Sequence, residues 1–383
     1  MEDLRARLRA TRWPDSPEEV GWSLGTDLDY LRELVTYWAE EFDWDAQEAA
    51  LNQFPHYRIP LGGISIHFVH VRAASSTRHV MPLVLSHGWP DSFWRYSKVI
   101  SLLTNPGEHG GDPADAFDVV IPDIPGFGYS DGPSGPSLNS IAVADLWANL
   151  MNILDYPLFG AAGGDQGGSV SRYLALNHAD RVVAVHRMDA GLPVFSGDAT
   201  ELSSEERSWI EGASAWGATE GAYGAIQRTK PQTIAFAITD SPAGLAAWIV
   251  EKLRAWSDCD GNIERRFTRD EILTNITIYW LTGSIGSSMR TYNANAAIPI
   301  AQHARRVEVP SGFSIFKGDI VRPPRAWLER VANVVHVTEP PRGGHFAPFE
   351  EPELYVGELR DFFRPFREAV AAQDGGREYP ILW

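Results

Sequence analysis

The string Gly163-Gly164-Asp165-Gln166-Gly167 sets a carboxylate among small residues. It follows the small and apolar run 158–162 and precedes a helix-like stretch from Ser169 to Asn177. So tight a strand-to-helix turn needs glycines, because backbone passes close to backbone. It lifts the central side chain to the end of a sheet, beside backbone N–H groups that can hold an oxyanion. A serine there attacks acyl carbon. An aspartate attacks sp3 carbon instead and forms an alkyl-enzyme ester. The implied chemistry is opening of an epoxide or displacement of a halide, with Asp165 as nucleophile.

Such an ester must be hydrolysed, so a base near neutral pH has to activate water. His345, in Arg342-Gly343-Gly344-His345-Phe346-Ala347-Pro348 after the last expected strand, has the right type and place. A carboxylate should orient its imidazole and stabilise the imidazolium. Asp319, directly after the strand 313–316, is the first candidate, and Asp189, after the strand 181–188, competes with it. Ser86-His87-Gly88-Trp89-Pro90 follows another strand and is placed to supply one oxyanion N–H from Trp89, with Gln166 N–H as the other. His87 precedes the nucleophile, an order that suits a structural hydrogen-bonding residue better than a base.

Neither a metal nor a cofactor is expected. His67 and His70 are three apart on a strand, so they face opposite sides. The loop 123–130 has glycines but no phosphate-binding lysine. The single cysteine, Cys259, cannot form an intramolecular disulfide, and Asp258 and Asp260 beside it oppose thiolate formation.

Alternating elements must position these groups. The runs 82–86, 117–123, 158–162, 181–188, 313–316 and 334–337 read as strands. Ile64, Ile66 and Phe68 alternate with polar or smaller residues as a half-buried strand would. Helices are expected over 93–103, 140–154 and 353–363. Together they imply a mainly parallel, doubly wound sheet. Residues 1–55 read as a helical arm, with Asp27 or Asp29 capping a helix that carries Leu31, Leu34, Val35 and Trp38 on one face. Alternation stops near Pro193 and resumes near residue 296. The expected organisation is an arm (1–55), a first core part (56–192), a helical cap (193–295) and a second core part (296–383). In the cap, Ser241 and Pro242 open the clearest helix, 242–256. Substrate should bind between cap and core, outside the C-terminal ends of the strands.

The chain of 383 residues has 33 basic and 50 acidic side chains, a net charge of −17. This opposes binding to nucleic acid or anionic membrane. No run reaches the roughly 18 apolar residues of a membrane span, and the first residues are charged. A soluble, cytoplasmic enzyme is expected, with a small molecule and water as partners and a homo-oligomer left open. The 14 tryptophans suit an apolar substrate pocket.

Taken together, these strings resemble the α/β-hydrolase-fold epoxide hydrolases, in the microsomal-type branch that carries an N-terminal arm. The likeness spans nearly the whole chain: Arg12-Trp13-Pro14, the 87–90 and 123–130 loops, the Asp165 elbow, the 240–247 string and 342–346. It implies that two cap tyrosines, Tyr223 and Tyr292, donate hydrogen bonds to the epoxide oxygen. A phenol of pKa about 10 can do this while staying neutral at pH 7. Three departures stand out. Gln166 replaces a tryptophan found after the nucleophile in many relatives, giving a more polar wall. Asp319 is shorter than the glutamate of animal relatives. The membrane-anchoring segment of the animal enzymes is missing. Soluble bacterial relatives include enzymes of natural-product pathways, enediyne biosynthesis among them, which implies a bulky aryl or polycyclic epoxide. The rival readings are a haloalkane dehalogenase and a catalytically inactive binding protein on the same fold.

Overall fold

The computed structural model describes residues 1–74, 80–195 and 197–371. Eight strands form one sheet: β1 (His56–Leu61), β2 (Ile64–Val71), β3 (Met81–Ser86), β4 (Phe117–Pro122), β5 (Phe159–Gly163), β6 (Val182–Arg187), β7 (Val307–Ser314) and β8 (Ala332–Thr338). Their spatial order is β1-β2-β4-β3-β5-β6-β7-β8. The pairs β1/β2 and β2/β4 are antiparallel, and the rest are parallel. The protein therefore has the α/β-hydrolase fold. The central strands β3 and β5 are buried throughout, as a parallel sheet covered on both faces requires.

Sequence periodicity misses three features. β1 is absent from it, because Pro60 and its polar residues hide a strand that pairs along its whole length with β2. β2 is not half-exposed: Ile66, His67, Phe68 and Val69 are all buried. His67 is tolerated there because its Nδ1 lies 2.7 Å from the buried Asp123 carboxylate, which also accepts the N–H groups of Phe93 and Tyr129. The expected helix 93–103 is broken into a 3₁₀ turn, Phe93–Tyr96, and a short helix, Ile100–Thr104. Ser97 and Val99 bond three residues back rather than four. Arg95 and Tyr96 are committed instead to Asp91 and the Ser86 carbonyl.

Between β6 and β7 the chain forms a helical cap that includes Ser204–Thr219, Ala222–Thr229, Pro231–Asp240, Pro242–Trp256, Arg269–Thr282 and Ile285–Ala296. Ser241 caps the fourth of these through the Gly244 N–H. The arm helices Glu2–Arg9, Leu28–Glu40 and Trp44–Leu51 lie against the cap. Asp27, not Asp29, caps the second arm helix. Trp38 Nε1 donates to Thr277 Oγ1 at 3.0 Å, Tyr37 to Asp270 at 2.9 Å, Thr26 to the Ala247 carbonyl at 2.7 Å and Arg7 to Asp240 at 2.7 Å. Among the described residues no single helix is long and apolar enough to cross a membrane. The helices 231–240 and 242–256 reach that composition only as a pair, bent by 118° at Ser241.

Candidate active site

β5 ends at Gly163 and its following helix begins at Gln166, three residues earlier than the apolar pattern suggests. Asp165 fills the turn with φ 55° and ψ −130°. A non-glycine residue held there is strained by about 1–3 kcal/mol, so its surroundings must impose the conformation. They do so closely. Asp165 N–H donates to Asp189 Oδ2 at 2.7 Å. A Cβ on Gly167 would sit 1.9 Å from the Ser86 carbonyl oxygen, and one on Gly88 would sit 2.5 Å from Asp165 Oδ1. Glycine at these positions lets the elbow and the loop after β3 press together. The Trp89 N–H thereby reaches Asp165 Oδ1 at 2.8 Å.

His345 stands across from this carboxylate. Its Nε2 is 3.6 Å from Asp165 Oδ2, and its Nδ1 is 2.9 Å from Asp319 Oδ1. Asp319, rather than Asp189, therefore holds the imidazole. Asp189 is turned toward the elbow, accepting from the N–H groups of Asp165 and Gly191. The shorter aspartate reaches His345 because the two loops are joined: Gly318 N–H donates to the Gly343 carbonyl at 2.9 Å, and Gly318 bridges to Gly344.

Other groups fix the His345 loop. His345 N–H donates to the Trp256 carbonyl at 2.8 Å, and the buried Arg95 donates to the His345 carbonyl. Buried Glu350 accepts from the N–H groups of Asp258, Gly344 and Phe346. Motif reading missed Arg95, Trp256 and Glu350. Their local strings carry no chemical signature, and only Glu350, in the turn after the histidine, lies near enough in sequence to have been suspected.

The charges support one another. Burial opposes ionisation of Asp165, yet the hydrogen bond and charge of His345 and the N–H groups of Gln166 and Trp89 hold its pKa below the ordinary carboxylate value. Burial likewise opposes a charged His345, yet Asp319 and Asp165 raise its pKa to about 10. Both shifts favour a carboxylate facing an imidazolium. His87 is different. It is fully buried, its Nδ1 donates to the Gly88 carbonyl and its Nε2 accepts the Ile124 N–H, so both ring nitrogens are used in the scaffold.

Tyr223 and Tyr292 come together from separate cap helices, with ring centroids 6.0 Å apart. Trp89 carries both: its ring stacks on Tyr223 at 5.5 Å and meets Tyr292 edge-on at 6.0 Å. Burial, reinforced by the Asp165 charge, raises both phenols above their usual pKa, so they stay protonated. A cavity of about 410 Å³ joins the two halves. Asp165, Gln166 and His345 lie on the core side, Tyr223 and Tyr292 on the cap side, with Trp216 among the walls. Of the residues singled out from sequence, Asp165, His345, Asp319, Tyr223, Tyr292, Gln166 and Trp89 converge here. His67 and His70 do not, being tied to Asp123 and to Tyr156.

Residues 1–96 match the family model described as the epoxide hydrolase N terminus, and residues 81–237 match the α/β hydrolase fold. A Stigmatella aurantiaca protein is 41% identical over 96% of this chain and 83% of its own length. Epoxide hydrolase 1 of Sus scrofa is 35% identical, covering 94% of this chain and 86% of its own. Among solved structures, juvenile hormone epoxide hydrolase from Bombyx mori superposes with a TM-score of 0.84 at 30% identity, over 96% of this chain and 91% of that one. The epoxide hydrolase of Aspergillus niger gives 0.83 at 28% identity, over 95% and 93%.

Proposed function

This chain belongs to the epoxide hydrolase family, and we propose that it makes a vicinal diol through a covalent ester on Asp165 that His345-activated water then hydrolyses. The observation that carries this reading is the opposition of Asp165 and His345 across a gap of 3.6 Å, with Asp319 behind the histidine and two phenols across the cavity. Trp89 N–H occupies Oδ1, leaving Oδ2 to attack a ring carbon of the epoxide. The C–O bond breaks, and the ring oxygen takes a proton from a phenol as it leaves.

Alkylation neutralises Asp165 and removes one of the two anions that hold the His345 proton. The imidazolium can then release that proton, which restores the phenol that protonated the leaving oxygen. Neutral His345 takes a proton from water through Nε2, and hydroxide adds to the Asp165 carboxyl carbon. The N–H groups of Trp89 and Gln166 hold the resulting oxyanion. The diol departs with the oxygen that attacked it, and imidazolium supplies its proton.

The test is a single turnover in oxygen-18 water. The label should enter the Asp165 carboxylate, seen by mass spectrometry of its peptide, while the first-turnover diol stays unlabelled at that oxygen. A labelled first-turnover diol would mean direct attack by water. Asp319→Asn should slow ester decay by roughly a hundredfold or more, since the imidazole loses its orienting acceptor, and should slow alkylation less. If Asp189→Asn damages ester decay more than Asp319→Asn does, the triad acid is Asp189.

For substrate, we propose a bulky aryl or polycyclic epoxide. The cavity falls within the roughly 300–1,000 Å³ of pockets for drug-sized molecules, and Trp216, Leu192, Ile320 and Val321 line it alongside the tyrosines.

A further inference from the structure

We infer that the side chain of Gln166 is a positioning residue for Tyr292, holding that phenol so that its proton is left for the epoxide oxygen. The inference rests on the ring-opening role proposed above for the tyrosines. It concerns the carboxamide alone, and not the Gln166 backbone N–H already assigned to the oxyanion.

Gln166 is 8% exposed and follows the nucleophile directly, so its side chain forms part of the cavity wall. Its Oε1 lies 2.8 Å from Thr291 Oγ1. Thr291 Oγ1 is also 2.7 Å from the Ser288 carbonyl, but a threonine has one proton to give. Ser288 and Tyr292 are four apart inside the helix Ile285–Ala296, so that carbonyl already has a helical N–H partner. Among the described residues Gln166 Oε1 has no comparable second donor, so the Thr291 proton belongs there. This fixes which way the amide faces and leaves its Nε2 as the free end.

Nε2 of Gln166 and the hydroxyl of Tyr292 are both buried, and neither has a well-formed hydrogen bond among the described residues. Two buried polar groups left this way are costly unless they serve each other or a ligand. Both line one cavity, and Tyr223, whose ring centroid is 6.0 Å from that of Tyr292, bears on the same hydroxyl: Tyr223 opposes loss of the Tyr292 proton, and the Gln166 side chain eases it. Thr291 and Tyr292 are also adjacent on one helix, so the residue that anchors the amide moves together with the phenol it serves.

The chemistry follows from the direction of the bond. An N–H donated to the phenol oxygen occupies a lone pair and leaves the O–H pointing elsewhere. As the ring opens and negative charge spreads onto Tyr292, the same bond strengthens. A tryptophan or an aliphatic residue at this position cannot place a carboxamide N–H there. The effect should therefore fall mainly on alkylation and much less on ester hydrolysis.

The experiment is a double-mutant cycle on the full chain, with each half-reaction followed by rapid quench. Gln166→Met keeps the length and backbone N–H but removes the amide. Alone, it should slow alkylation by about tenfold, the loss expected for one hydrogen bond, and slow ester decay much less. In a Tyr292→Phe background the same change should have almost no further effect. Thr291→Val, which frees the amide without touching the cavity, should produce a smaller alkylation defect that is not additive with Gln166→Met. An equal loss from Gln166→Met in both backgrounds would overturn the inference while leaving the tyrosine role standing. Equal slowing of alkylation and ester decay would overturn it as well. A silent Tyr292→Phe would remove the tyrosine role itself and this inference with it.

Discussion

His345→Gln should leave an enzyme that alkylates once and stops. Attack on the epoxide needs the Asp165 carboxylate and the phenols, none of which the substitution removes. Hydrolysis needs a proton acceptor for water, and Nε2 of His345 stands 3.6 Å from Asp165 Oδ2. The ester should therefore accumulate to one per active site. Its decay should slow by roughly 10²–10⁴-fold, the usual contribution of a general base. Intact-mass measurement after mixing with substrate gives the adduct, and peptide mapping places it on Asp165. No adduct in a variant that still binds substrate would remove His345 from the second step.

The same charge logic gives a pH dependence for the wild-type protein. In the free enzyme Asp319 and the ionised Asp165 hold the His345 proton up to about pH 10, against the cost of burying the charge. In the ester only Asp319 does so, and the histidine pKa falls. Ester decay should thus rise with pH along a limb well below 10. Alkylation should stay flat through neutrality, because the Asp165 pKa is held down.

The double variant Tyr223→Phe/Tyr292→Phe should lose nearly all epoxide opening. An alkoxide is too basic to leave without a proton or hydrogen bond. Tyr223 and the Tyr292 hydroxyl are both buried and both rings pack against Trp89, which limits replacement by bulk water. Each single variant keeps one donor and should slow alkylation by roughly tenfold or more. The pair should approach the rate with no acid assistance, read as the burst of Asp165 alkylation. A wild-type burst in the double variant would end the ring-opening role. Folding is checked independently, because loss of two hydroxyls leaves the Trp89 stacking in place.

What the sequence revealed about this site depended on distance along the chain. The elbow around Asp165 and the loop around His345 are contiguous strings, and their glycines report close backbone approach directly. The choice between Asp319 and Asp189 was not readable, since both follow strands. Asp319 is the one within hydrogen-bond reach of His345, because the Gly318 and Gly344 loops are joined, while Asp189 accepts the Asp165 N–H. Gln166 was readable as a more polar wall. Its anchoring was not, because Thr291 lies 125 residues away. Helix 93–103 failed for a related reason: its apolar pattern is genuine, but the partners of Arg95 and Tyr96 hold the first turn in another geometry.

The arm has a consequence for the order in which the molecule can be made. Leu31, Leu34, Val35 and Trp38 are covered in the finished protein, and Trp38 bonds a threonine 239 residues further on. At a ribosome's roughly 5–20 residues per second, that partner emerges some ten to fifty seconds after the tryptophan does. For that interval the first helices of the nascent chain can pack only on each other and lack their partners in the cap. The segment made first thus cannot complete its contacts with the cap until those later residues have been made.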